Sequence, residues 1–157
     1  MDDFSHKEIN RLSISRQDFE QCRRFLKQLP NHEYASTLYE ALLLSAIVCY
    51  ARPFSGNEKD KGAKADSRIK DEVLVGLSHE ELELHKSILT LRNKAVAHAE
   101  WSQHPTGVSE NGVISSVPFS IWKHFHGEGH IERFTQLVSK VLLKAHHLTG
   151  DILRTRP

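Results

Sequence analysis

The sequence is short of cysteine, of unbalanced charge and of long apolar runs, and each shortage excludes a class of protein. Cys22 and Cys49 are the only cysteines among 157 residues. Two cysteines cannot build a disulfide framework, and without a Cys-x-x-Cys pair a thiolate zinc site has no support. Both lie inside apolar helical patterns and read as reduced core thiols. Lys and Arg total 21 against 20 Asp and Glu, a formal net charge of +1. That balance argues against a duplex-DNA binder working through many phosphate contacts, because such chains are usually clearly basic. The longest apolar run, Ala41 to Ala51, is interrupted by Ser45 and is too short to span a bilayer. The N-terminal MDDFSHKEIN is acidic and polar, with no apolar signal region, so a cytoplasmic protein without a membrane anchor is expected.

Hydrophobic residues make up 39% and charged residues 26%, which suits a soluble fold and argues against disorder across the whole chain. The length matches one domain, 1–157, with one closed core and no internal repeat. The abundant residue is histidine, at 11 copies. These side chains titrate near neutrality, so the real charge depends on pH more than the formal value does.

The dominant periodicity is helical. A first helix is expected after Ser15, a candidate N-cap, ending near Leu29 before Pro30, with Phe19, Cys22, Leu26 and Leu29 as its core stripe. A second is expected from about His32 to Arg52, with Asn31 as candidate cap and Pro53 as stop. Its stripe is read as Ala35, Leu38, Leu42, Ser45 or Ala46, and Cys49. Because Ala41 to Tyr50 is apolar nearly all round, this helix should be the most buried. The polar stretch 55–68 reads as a mobile loop, followed by a short helical piece near Ile69 to Val75. Ser78-x-x-Glu81 is a capping box that opens a helix reaching to about Trp101. The segment 102–120 holds Pro105, Gly107, Asn111-Gly112 and Pro118, and Asn-Gly between Val108 and Ile114 suits a small hairpin. From about Glu128 to Leu153, Ile131, Phe134, Val138, Val141, Ala145, Leu148 and Ile152 recur with three–four spacing. The fold class is therefore all-α, a four- to five-helix up-and-down bundle with a long loop after the second helix and a small hairpin before the last.

The informative stretch is Leu91-Arg92-Asn93-Lys94-Ala95-Val96-Ala97-His98-Ala99-Glu100-Trp101. On a helical wheel Leu84, Ile88, Leu91 and Ala95 fall on one line, widened by Leu89, Val96 and Ala99. Arg92 lies near the middle of this apolar arc, His85 lies inside it, and His98 and Asn93 border its two edges. An arginine there needs an acid such as Glu40, a carbonyl cluster, a subunit interface or an anionic ligand, since burial without a partner costs about 3–5 kcal/mol. On geometry alone, an ion pair is the more ordinary reading of Arg92, and a satisfied structural histidine that of His98. The alanines read first as close helix packing, which includes packing across a dimer.

Arg92-Asn93 followed by His98 resembles the signature of the HEPN superfamily (higher eukaryotes and prokaryotes nucleotide-binding), an Arg, a polar residue and a His five to seven positions after the Arg, late in a long helix of a bundle. The text is similar to the RNKxxAH of the abortive-infection branch, and Tyr50-Ala51-Arg52-Pro53-Phe54 also looks like that branch. The likeness spans most of the chain in architecture but only two short motifs in sequence. It implies a HEPN-type bundle and a metal-independent endoribonuclease without cofactor, in a toxin–antitoxin or abortive-infection system. His98 would be general acid/base, Arg92 the phosphate stabiliser and Asn93 their support. The implied partners are an RNA substrate, a second copy of the chain and an antitoxin, nucleotidyltransferase-like or other.

Physical chemistry is compatible with this. RNA carries its own nucleophile, the 2′-OH, and an imidazole near neutrality can move its proton or protonate the leaving 5′-oxygen. A guanidinium can hold the scissile phosphate as charge develops. Residues six apart on a helix sit about 120° and roughly 9 Å apart, so Arg92 and His98 converge poorly within one helix. Two such helices meeting at a two-fold axis would bring both pairs into one cleft. Weaker substrate-binding candidates are Arg52, equally explained by a helix C-terminus, Lys94, more simply a solvated charge, and Tyr50, more simply a core residue.

Two competing readings stay open: a non-catalytic HEPN scaffold or nucleotide-binding module, and a metal-dependent bundle enzyme using His124, His126 and His130. The second is disfavoured, because that region reads as a Gly-containing loop, His146 and His147 diverge by about 100°, and no acid has a supporting spacing. No metal site is expected. A near-neutral chain does not exclude RNA, which needs only a local cationic cleft. The segment 121–157 supplies six Lys/Arg against three Asp/Glu, with five of the histidines.

Overall fold

The computed structural model describes residues 3–56, 64–93, 106–112, 114–116, 121, 125 and 129–155. They form four helices, α1 (Asp3–Gln28), α2 (Thr37–Ala51), α3 (His79–Leu91) and α4 (His130–Arg154), with a hairpin of β1 (Thr106–Val108) and β2 (Ile114–Ser116) between α3 and α4. The helices neighbour one another cyclically: α1 packs on both α2 and α4, and α3 touches α2 and α4. This is an all-helical bundle apart from the one hairpin.

α1 begins well before Ser15. The core spacing Phe19, Cys22, Leu26 continues backwards through Ser15 and Leu12, so the helix extends as far as that stripe can be buried. Ser15 is a mid-helix core residue and not a cap. The start of α2 also moves. Pro30 opens a single 3₁₀ turn, Leu29–Asn31, and Ala35 takes a left-handed φ of 61°. Ser36 then caps α2 by accepting the Tyr39 N–H at 3.3 Å. Asn31 instead donates to the Gln28 side chain at 3.1 Å.

α2 is deeply buried, as its composition predicts, but on a face only partly the expected one. Of the expected stripe Ala46 and Cys49 are buried, but Leu38 is 52% exposed and Leu42 only partly covered, and the core face is completed by Tyr39, Leu43, Ile47 and Tyr50. A helix that is apolar all round carries no directional signal, so packing chooses its face. Pro53 ends it in a 3₁₀ turn, Arg52–Phe54.

The stretch expected to be a mobile loop is anchored at its far end. Asn10 Nδ2 donates to the Lys64 carbonyl, Arg11 Nε to the Asp66 carbonyl, and the Asp66 N–H to the Lys7 carbonyl. Ala65, Ile69 and Val73 are buried, and Lys70 pairs with Glu8 at 2.8 Å. The short helical piece exists as a 3₁₀ turn, Asp71–Leu74. Asn111-Gly112 turns the hairpin: Gly112 N–H meets the Ser109 carbonyl at 2.9 Å with φ 76°, and Val108 pairs with Ile114. α4 buries Phe134, Val138, Val141 and Ala145 of the expected stripe, with Ile131, Leu148 and Ile152 partly covered, and buries Leu137 beside them.

One residue from each helix meets at the centre. The Tyr50 ring of α2 lies 5.9 Å from Phe19 of α1, 5.8 Å from His85 of α3 and 5.5 Å from Phe134 of α4. Such edge-to-face and tilted packing favours definite ring orientations.

Candidate functional site

The capping box sets where α3 begins. Ser78 Oγ accepts the Glu81 N–H at 3.2 Å, and Glu81 Oε2 accepts the Ser78 N–H at 2.9 Å. His85, Ile88 and Leu91 form the buried face. The helical backbone continues through Arg92, at φ −57° and ψ −46°, whose N–H reaches the carbonyls of Ile88 and Leu89.

Arg92 is partly exposed at the end of this helix. Its Nη1 donates to Asn93 Oδ1 at 2.9 Å, and among the described residues it forms no ion pair with Glu40. An amide acceptor orients a guanidinium without neutralising it. His98 and Lys94, and the expected continuation of the helix to Trp101, lie outside the described residues.

The other two candidates come from α2 and its end. Arg52 Nη1 lies 3.4 Å from Asp18 Oδ1 of α1, with its side chain half exposed. Burial pushes the Asp18 carboxyl above its ordinary value, and the neighbouring Arg52 only partly offsets this. Tyr50 is fully buried, and its hydroxyl lies 2.9 Å from His85 Nδ1. Burial pushes the Tyr50 phenol well up and the His85 imidazole down, which keeps both neutral. One proton is shared between the Tyr50 hydroxyl and His85 Nδ1, and the imidazole tautomer sets which of the two donates.

Sequence reasoning placed His85 on the apolar arc but not against Tyr50, since residues 35 apart show no pairing signal. It also missed Arg11, 4% exposed and tied to Asp66. The available signal was its position beside Leu12 in the backward extension of the α1 stripe.

Among the described residues no group of three or more His, Cys, Asp or Glu could hold a metal. His124 and His126 lie outside them, and His146 and His147 are exposed with ring centroids 6.4 Å apart. Cys22 and Cys49 are both free and buried. No helix among the described residues is long and apolar enough to cross a membrane.

No family model, curated protein or solved structure matches the chain.

Proposed function

We propose that the chain is a metal-independent endoribonuclease of HEPN type, acting as a toxin or abortive-infection effector restrained by an antitoxin. The observation that carries this reading is the pairing of Arg92 with Asn93 at 2.9 Å at the end of the capped helix, where the sequence reads Arg-Asn-x4-His. Asn93 uses its carbonyl oxygen to hold one guanidinium N–H, and the remaining N–H groups are left to grip a scissile phosphate in a fork.

In this reading His98 takes the proton of the substrate 2′-OH as that oxygen attacks phosphorus. The P–O5′ bond breaks, a proton is returned to the 5′-oxygen, and the products are a 2′,3′-cyclic phosphate and a 5′-OH end. Arg92 stabilises the charge that builds on the non-bridging oxygens. Two copies of the chain would bring two Arg92–His98 sets into one cleft, so a homodimer belongs to the proposal.

The test is cleavage of single-stranded RNA in the presence of a chelator, with the end groups identified. Loss of cleavage in both His98→Ala and Arg92→Ala, with fold and oligomeric state retained, supports the reading. Cleavage by His98→Ala equal to wild type, after contaminating nuclease is removed, overturns the catalytic assignment. A folded dimer that binds RNA without cleaving it points to the scaffold reading instead.

A further inference from the structure

Two buried polar side chains at the centre of the bundle have no part in the chemistry above. His85 is 6% exposed and Tyr50 fully buried, and their hydrogen bond joins α3 to α2. The His85 ring is held edge-on by Phe54 at 4.6 Å and by Tyr50 at 5.8 Å. The Tyr50 ring is in turn wedged among Phe19, Phe54 and Phe134. His85 therefore meets a hydroxyl whose position three other aromatic rings determine.

α3 needs such a fixed point. Its other buried side chains are Ile88 and Leu91, and the Glu81–Lys140 bridge to α4 holds only its first turn. Apolar contacts of this kind are non-directional and tolerate small rotations, whereas a hydrogen bond weakens quickly with angle. His85 and Arg92 are seven residues apart, two turns along α3, and so lie within about 20° of the same face. Turning the helix at His85 turns the base of the Arg92 side chain by the same angle. A rotation of about 10° displaces a point roughly 6 Å from the axis by about 1 Å, and a misplacement of that order costs about 100-fold in rate at a reacting centre.

We infer that Tyr50 and His85 are a positioning pair: their hydrogen bond sets the rotation of α3 and thereby the direction in which Arg92 presents its guanidinium. The inference rests on Arg92 being the phosphate-binding group, but the rotation itself can be read without any substrate.

The experiment uses the full chain labelled with 15N, following the Arg92 Nε–Hε resonance, assigned by its absence in Arg92→Lys, together with RNA cleavage. Tyr50→Phe removes only the hydroxyl, and His85→Leu removes the ring nitrogen that meets it. His85→Asn keeps a hydrogen-bonding amide near the Nδ1 position, able to donate or accept, and guards against misfolding of the harsher variants. Val138→Ala truncates the core on α4 and controls for lost stability alone. Tyr50→Phe and His85→Leu are expected to move the Arg92 resonance and lower kcat by about 10- to 100-fold with KM little changed. His85→Asn should restore both toward wild type, and Val138→Ala should change neither at a comparable fall in Tm. An Arg92 resonance that stays in place in Tyr50→Phe and His85→Leu, or moves as far in Val138→Ala, overturns the positioning role. If the wild-type chain cleaves no RNA, the resonance still decides the pair's role, and the failure belongs to the proposed function.

Discussion

Lys140 Nζ on α4 lies 2.6 Å from Glu81 Oε1 on α3, while the other oxygen of the same carboxylate caps its own helix at Ser78. One side chain thus closes the first turn of α3 and ties that turn to α4. Lys140 and then Ser78 hold the Glu81 carboxyl below its ordinary value. A depressed carboxyl contributes stability that is present above the unfolded value and lost as pH falls through the folded one. Glu81→Gln keeps a capping partner but loses the ion pair, and should cost at most about 1 kcal/mol, a gap that narrows in high salt. Ser78→Ala should cost about 1 kcal/mol with little salt dependence. Glu81→Ala, losing both contacts, should cost the most. Urea melts at two salt concentrations check the order, and a salt-independent loss in Glu81→Gln would show that the bridge adds nothing.

Ser15 is fully buried in α1, and its hydroxyl has no hydrogen-bond partner among the described residues. Burying an unsatisfied hydroxyl costs about 1–3 kcal/mol, and alanine is the better helix former. Ser15→Ala should therefore raise stability by about 1 kcal/mol. A lower urea midpoint in that variant would contradict the burial of a bare hydroxyl.

Ala35 adopts a left-handed φ of 61° on the surface just before α2. That conformation costs a non-glycine residue about 1–2 kcal/mol, while glycine adds about 0.4–1 kcal/mol of unfolded-state entropy. Ala35→Gly should be more stable than wild type by about 0.5 kcal/mol. Ala35→Val should be less stable, because a β-branched residue fits this region poorly. Thermal melts of the two variants should bracket the wild type.

Burial pulls the His85 imidazole below its ordinary value of 6.5; the Asp71 carboxylate opposes this and Lys86 adds to it. The sign follows directly. Below 6.5 the unfolded chain takes up a proton that the folded chain refuses, so stability falls with pH from there down through the folded value. His85→Leu should flatten that acid limb while lowering stability at neutral pH through the unpaired Tyr50 hydroxyl. Equally steep limbs in wild type and variant would place His85 outside the coupling.

How much of this was legible beforehand depended on whether the signal was local. Ser78 and Glu81 announce the start of α3 three residues apart, because a capping box satisfies its own backbone donors. Pro53 stops α2, Asn111-Gly112 turns the hairpin, and α4 keeps its buried stripe, each through short-range geometry. The hydrogen bond from Arg92 to Asn93 was not legible, because the wheel puts Arg92 within the apolar arc and Asn93 at its edge. Position along the chain cannot say what lies opposite. Asn31 was read as the cap that Ser36 in fact provides, and Ser15 looked polar enough to begin a helix that in fact runs through it.

The sequence by itself determined that the chain forms helices, roughly where several of them start and stop, and that Arg92, Asn93 and His98 share one segment. Only the tertiary structure decided which face of α2 turns inward, because an all-apolar helix has no preferred side until neighbours supply one. It alone placed Tyr50 against His85 across 35 residues, where burial requires the hydroxyl to find a partner and the surrounding rings leave it this one.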